Sequence, residues 1–489
     1  MMWWKSEGSD GIVVEMIEAA GDVAISKILG LANRIYESGE MPQSMKESEF
    51  IVIPKREGAV DCEKHRTISI MSQVGKIILK VVGRRIKTRL EERVDEEQFG
   101  FRKGKGTRDA IFLLRTVIER SLEKQRDIFM CFVDFEKAFD TVVHEPLMDT
   151  LQSFGVDGRD ARMIAKLYWE QRAVVKVENE RSDWVDIERG VRQGCVLSPD
   201  LFSMYTQIVM EELAEVEGVR IGGKNLNNIR YADDMVMIAD SEGKLQILID
   251  KLHEKCLEKG LRINRSKTEV MGITKRNELL PVNVTMEGVQ ITQSRKFRYL
   301  GSLISEDGRC DTEIMTRIAI SKSNFGKMRN LLTNLGLSIE LRVRVLKTYI
   351  WSVLLYGCES WTINATMRRK LEAAEMWMLR RMLRVPWTAR MTNQEVMRRA
   401  GVTRLLMTTI RQRQLGYIGH LLRGRSLGKD CLLGMIDGRR ARGRQRMKYM
   451  DGLKEIVECS GIGEMVRLAE DRNRWRIIVA NVNIDTAHR

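Results

Sequence analysis

The sequence predicts an α+β fold, and three observations carry that prediction. Residues 128–133 form an unbroken apolar run that ends in Asp134, the pattern of a fully buried strand delivering a carboxylate at its carboxyl end. Residues 228–230 and 235–239 flank Tyr231-Ala232-Asp233-Asp234, which reads as a β-hairpin whose tight turn carries two adjacent carboxylates. Apolar residues at helical spacing account for much of the remainder.

Taken in order, residues 11–38 look helical, with Val14, Ile17, Val23, Ile25, Ile28 and Leu31 as apolar positions. Residues 50–53 read as a short strand ended by Pro54, and 67–70 as a strand or turn after Arg66. A helix over 76–94 places Ile77, Val81, Ile86 and Leu90 on one side and many basic residues on the other. Beyond residue 301 the chain turns helical. Ile314, Ile318, Phe325, Met328 and Leu332 form one stripe, with Arg317, Lys322, Lys327 and Arg329 available to the other face. A further helix carries Met367, Leu371, Ala374, Met378 and Met382 and is stopped by Pro386; its Met and Leu stripe reads as core.

At 489 residues the chain has room for two to four domains, and with only six prolines and no Pro- or Ser-rich linker they should pack together. The net charge of +15 suggests a polyanionic partner, nucleic acid before others, although a basic soluble surface gives the same sum. The eight cysteines are scattered with no C-x-x-C pair, which argues against a disulfide framework and against zinc. His420 has no His or Cys partner at ligand spacing. No apolar run approaches membrane-spanning length and the start has no signal-peptide core, so a soluble intracellular protein of nucleus or cytoplasm is expected.

Two neighbouring carboxylates repel, and each raises the other's proton affinity unless a cation lies between them. Asp233 and Asp234 are therefore a natural seat for hard divalent cations such as Mg²⁺, although Asp is also a common turn residue. A third carboxylate, Asp134, at the end of a central strand supplies what two-metal nucleotidyl transfer needs.

With these residues in place the chain resembles a reverse transcriptase of the non-LTR, LINE-type retrotransposon class. Residues 132–140, Phe-Val-Asp-Phe-Glu-Lys-Ala-Phe-Asp, resemble the first palm motif; 192–199, Arg-Gln-Gly-Cys-Val-Leu-Ser-Pro, the second; and 231–234 the third. Residues 260–264 with Lys267 and Thr268 resemble the fourth, 297–301 the primer-grip hairpin, and 98–102 a fingers motif. The resemblance implies a right-hand polymerase. Fingers would cover 1–127, the palm 128–305 (whole domain about 48–305), a helical thumb or connection 306–410 and a basic carboxyl-terminal region 411–489.

The resemblance further implies Asp134, Asp233 and Asp234 as ligands of two Mg²⁺ ions, or Mn²⁺, with Lys267 as general acid to the leaving pyrophosphate or else a solvated lysine. Lys55 and Arg66 would hold the triphosphate, with Phe135, Phe139, Gln193 and Gly194 around the incoming nucleotide. A ring at Phe139 would crowd out a 2′-hydroxyl and favour deoxynucleotides, although an ordinary core Phe fits the position equally. Tyr231, Tyr299, Leu300 and Gly301 would face primer and template. The stretch 438–448, with five Arg and one Lys, would add Arg442, Arg444 and Arg446 to that surface, unless it is a nuclear-import signal.

The chain departs from the family at 64–67, Lys-His-Arg-Thr, which keeps the Arg and loses a Pro. Residues 5–12 already resemble the segment just before the fingers, so a copy lacking the class's amino-terminal endonuclease is expected. The expected activity is RNA-directed DNA polymerisation on an RNA template, a DNA primer end and dNTPs. The rivals are a catalytically silent nucleic-acid-binding remnant and an RNA-copying RNA polymerase.

Overall fold

A computed structural model describes residues 7–8, 10–55, 58–178, 180–276, 279–402, 405–436, 438 and 446–482. Near the amino terminus, α1 (Gly21–Ser38) follows a short helical turn. Strands β1 (Glu47–Pro54) and β2 (His65–Ile70) then pair antiparallel, with Ile53 opposite Arg66. Residues 65–67 of the stretch that lacks the Pro pair regularly with β1. Helix α2 (Gln73–Arg93), capped by the Ser72 hydroxyl, and α3 (Thr107–Glu123) lead to β3 (Ile128–Val133).

Helix α4 (Gly158–Trp169) precedes β4 (Arg172–Val177), which pairs parallel with β1. The sheet before residue 127 thus borrows a strand from the 128–305 interval. Helix α5 (Ser198–Glu211) leads to the hairpin β5 (Asn228–Tyr231) and β6 (Asp234–Ala239). After α6 (Glu242–Glu258) come β7 (Glu269–Ile273) and the hairpin β8 (Lys296–Tyr299) and β9 (Ser302–Ser305). The central sheet runs Thr292–Gln293, β7, β3, β6, β5, with β3 antiparallel to both neighbours. Because β3 lies between two strands and under helices, its apolar run is buried on both faces, which is why it shows no period-2 alternation.

Beyond residue 310 the chain is helical and builds a second core from Cys310 to Ile410, distinct from the cores on either side of the palm sheet. Helix α7 (Asp311–Lys327) and α8 (Ala365–Met382) pack there. Met367, Leu371, Ala374, Met378 and Met382 are buried as the stripe requires. Helix α8 ends at Met382, before Pro386, because Arg384 takes a left-handed φ of 56°. A last core joins α9 (Leu405–Arg423) to the terminal helices through Trp475.

Three helix readings change. On α1, Val23 and Ile25 are 69% and 60% exposed, so the apolar residues of that helix do not form a buried stripe. On α2 the buried face is Ile78, Leu79, Val82, Ile86 and Leu90, one residue round from the expected one, which leaves Val81 outside. Arg317 is not a free basic side chain of α7. It is buried, pairs with Glu313 at 2.8 Å, donates to the Gly301 carbonyl and lies 4.6 Å from the Tyr356 ring centre. Lys322 stacks over Trp377 at 5.1 Å.

Candidate active site

The β5–β6 hairpin closes with Asp234 opposite Tyr231, and Ala232 takes a left-handed φ of 59° to make the turn. Pairing Met235 with Val133 brings the turn beside Asp134, the residue after β3. The segment after α6 fixes Asp134 from the other side. Asn264 N–H donates to the Asp134 carbonyl at 2.7 Å, and Asp134 N–H donates to the Thr268 hydroxyl at 3.3 Å. The same segment sets Lys267 Nζ 3.2 Å from Asp134 Oδ2. Three of the four expected catalytic side chains thus share one rim through strand pairing, and Lys267 joins them through the backbone of its own loop.

The electrostatics are those of crowded acid. Asp233 and Asp234 reach solvent at the lip of the site, yet the surrounding protein disfavours their charged forms. Burial, then the neighbouring charges of Asp233 and Asp134, push Asp234 up to about 6. Burial and Asp134 raise Asp233 as well, while the charge of Arg66 opposes both shifts. Among the described residues no group of three His, Cys, Asp or Glu side chains is placed to hold a metal ion by itself. An open cluster of repelling carboxylates still suits Mg²⁺, which takes one or two carboxylates and completes its shell with water and substrate phosphate.

The nucleotide-side residues divide. Phe139 stacks on Phe202, 4.7 Å between ring centres at 18°, and meets Phe101 edge-on at 6.4 Å. It is half-buried, so one edge of the ring remains available to the site. Gln193 donates to Asp140 Oδ1 at 2.9 Å, and burial raises the Asp140 carboxyl against the pull of Gln193, Lys137 and Lys55. Lys55 is exposed at the end of β1. Phe135 is buried and forms a bridge with Ile263, so it packs rather than contacts. Gly194 has φ +103°, and a Cβ there would lie 2.9 Å from the Ser69 carbonyl, so its freedom serves the approach of β2.

On the primer side, Tyr299 is a correction. It is 2% exposed, donates to the Ile229 carbonyl at 3.4 Å and belongs to the core beneath the hairpin, so it cannot touch a primer. Tyr231, Leu300 and Phe297 pack against that core and are only partly buried. Gly301 is exposed at the β8–β9 turn, and Tyr356 Oη holds the turn by donating to the Leu300 carbonyl at 2.6 Å. Arg446 donates to the carbonyls of Asp307 and Lys275 at 3.0 and 3.4 Å, far from the hairpin turn in the fold. Arg442 and Arg444 lie outside the described residues.

Sequence reasoning missed two supports. Gln98 is fully buried, and its Oε1 accepts from Gly100 N–H at 3.1 Å and Ala232 N–H at 3.3 Å, tying the fingers motif to the catalytic turn. Arg192, also buried, donates to the Met45, Lys46 and Leu167 carbonyls and clamps fingers to palm. Both lie inside motifs of the sequence, 98–102 and 192–199, but nothing local marks either residue as a support.

The sequence pattern described as reverse transcriptase (RNA-dependent DNA polymerase) matches residues 53–304. The chain belongs to this reverse transcriptase family. A polymerase named for the mobile element jockey of Drosophila funebris is 27% identical over 398 residues, covering 79% of this chain and 43% of that protein. A Pol polyprotein of a type-1 retrotransposable element R2 from Nasonia vitripennis is 26% identical, covering 59% and 29%. The chain thus spans less than half the length of these relatives. Apo telomerase from Candida tropicalis shows a weak structural likeness, TM-score 0.41 at 12% identity, over 85% of this chain and 73% of that one. A divalent metal requirement goes with this family of enzymes. No helix among the described residues is long and apolar enough to cross a membrane.

Proposed function

We propose that this reverse transcriptase is the RNA-directed DNA polymerase of a non-LTR retrotransposon, adding dNTPs to a DNA 3′ end on an RNA template. The observation that carries the reading is the meeting of Asp134, from the end of β3, with Asp233 and Asp234, from the β5–β6 turn, on one rim whose acids repel. Asp134, Asp233 and Asp234 would hold the Mg²⁺ ions. When bound, these supply charge neutralisation and an activated 3′-hydroxyl. The charges of Arg66 and Lys55 act on that rim and on Asp140, and these two residues would receive a triphosphate. Lys267 sits at hydrogen-bonding distance from Asp134, able to give a proton to a leaving pyrophosphate. Phe139, braced by Phe202, presents a ring edge with no partner for a 2′-hydroxyl.

The domain assignment is fingers through residue 127, palm over 128–305, thumb over 306–410 and a basic region thereafter, with β4 belonging to the fingers sheet in space. The chain acts in the cell interior, where its template RNA and nicked DNA ends occur.

The test is primer extension on a defined RNA template with dNTPs and Mg²⁺, comparing the unaltered chain with Asp134→Ala and Asp233→Ala. Extension by the unaltered chain alone, with binding of primer–template kept in all three, supports the reading. Equal incorporation by the variants overturns it. Binding without incorporation by the unaltered chain selects a silent remnant.

A further inference from the structure

At the end of the palm sheet remote from the carboxylates lies a cavity of about 260 Å³. Ile128, which begins β3, pairs with Ile273, and the chain continues from there to Lys275. Six strand residues separate this end from Asp134, roughly 20 Å at the usual rise. The cavity is enclosed by α3, by the loop of Gly308 and Arg309 after β9, by the start of α7 and by residues 446–448. Gly308 allows the close approach: with φ +64°, it sits where a Cβ would lie 2.7 Å from Leu122.

The lining mixes charges. Lys275, Arg309 and Arg446 line the cavity together with the carboxylates Glu119, Glu123 and Asp311, and among the described residues none of these three cations forms an ion pair with a carboxylate. Among the described residues the Arg446 guanidinium bonds only carbonyls, and its charged form is disfavoured by burial and then by the nearby Arg309 charge. Asp307 offsets part of that repulsion. Lys448 is not one of these cations, because it is neutralised by Glu123 at 2.6 Å.

The lining also carries polar groups that bond to one another. Glu119 accepts from the Thr362 hydroxyl at 3.1 Å and from Tyr449 N–H at 2.8 Å, and burial pushes it up to about 7. Asn364 Nδ2 donates to both Asp311 oxygens, at 3.0 and 3.2 Å. Leu122 and Cys310, both buried, supply apolar surface to the cavity. Neighbouring cations without a carboxylate ion pair are stabilised by an anion. A cavity that joins such cations to apolar surface and to the Thr362 hydroxyl and Glu119 carboxyl matches the parts of a nucleotide.

We propose that this cavity binds one nucleotide, with its phosphate on Lys275, Arg309 and Arg446 and its ribose and base against Leu122, Thr362 and Asn364. The nucleotide is either an unstacked unit of a single-stranded RNA running outside the polymerising cleft or a free nucleoside monophosphate. The site is separate from polymerisation, so it stands or falls independently of the activity proposed above.

The experiment measures binding of a fluorescent short single-stranded RNA to the full chain across a salt series, with AMP as competitor, and repeats it with Lys275→Ala/Arg309→Ala. Loss of two of the three cations that neutralise the one bound phosphate is expected to lower the slope of log affinity against log salt by up to about 0.7 and to weaken binding about tenfold. Lys275→Arg/Arg309→Lys should keep the original slope. Competition by AMP assigns the site to a free nucleotide as well as RNA; RNA binding without AMP competition assigns it to the strand. An unchanged slope in the Ala pair overturns the proposal, and so does a loss shared equally by the charge-keeping pair. Extension of a short primer–template that ends within the cleft is read in parallel. A chain that extends nothing but shows the slope change keeps the cavity assignment while losing the polymerase one.

Discussion

The side-chain oxygen of Gln98 accepts a hydrogen bond from the backbone N–H of Ala232, 3.3 Å away, across a sequence separation of 134 residues. A second bond, from Gly100 N–H at 3.1 Å, uses the same oxygen, so a fully buried fingers side chain sets the pitch of the catalytic turn. Gln98→Leu would leave two buried donors without acceptors, at about 1–3 kcal/mol each. We expect lower denaturant resistance and a fall in kcat larger than any rise in KM for dNTP. Urea unfolding and steady-state extension kinetics together check this; an unaltered kcat in a folded Gln98→Leu protein would refute the positioning role.

Phe139 owes its orientation to Phe202, stacked 4.7 Å beneath it. Phe139→Ala should admit ribonucleotides, reducing dNTP over rNTP preference by at least about tenfold, and Phe202→Ala should do so more weakly by loosening the ring. Single-nucleotide incorporation with each substrate class measures the ratio.

The acids of the turn make the metal-free protein sensitive to pH in a defined direction. Asp234 holds its proton to about 6 in the folded state, above the ordinary value of 3.8, so the folded chain binds more protons than the unfolded one between these values. Stability is then greatest below about 4 for this group and falls as pH rises through about 6. Since the carboxylate is open to water, the effect should stay under about 1 kcal/mol. Asp234→Asn should flatten that part of the pH–melting curve, and added Mg²⁺ should shift it to lower pH. A curve identical in both proteins counts against the crowding described here.

Arg317 is a structural residue despite its place on a basic helix. Its pairing with Glu313 and its bond to the Gly301 carbonyl are both sheltered from water. Arg317→Ala should destabilise the fold by about 3 kcal/mol by leaving the buried Glu313 carboxylate without a cation, held only by the Leu303 N–H. Lys327→Ala, on an exposed position of the same helix, should change stability by less than about 0.5 kcal/mol. Chemical denaturation of the two variants distinguishes these outcomes.

The elements that carry chemistry were legible because their signals are local. The run 128–133 and the residues around Asp233 and Asp234 declare a strand and a hairpin by composition alone, and both form with Asp134 where the strand ends. What could not be read is what depends on partners distant in the chain. The spacing of Glu313 and Arg317 was visible, but their burial is decided by the β8–β9 turn and Tyr356. Tyr299 sits in a motif whose turn is exposed, yet strand alternation turns its ring inward toward Ile229. The apolar residues of α1 follow helical spacing, but the protein around Val23 and Ile25 does not cover them. Periodicity states which face is apolar and not whether anything lies against it.

Gly100 passes so close under the catalytic turn that an added Cβ would lie 2.4 Å from the Ala232 nitrogen. Every missense change of this glycine puts a side chain where none fits without moving the turn. A polymerase whose acids sit on that turn is therefore expected to tolerate substitution at residue 100 far less than at the exposed positions around it, even though residue 100 touches no substrate.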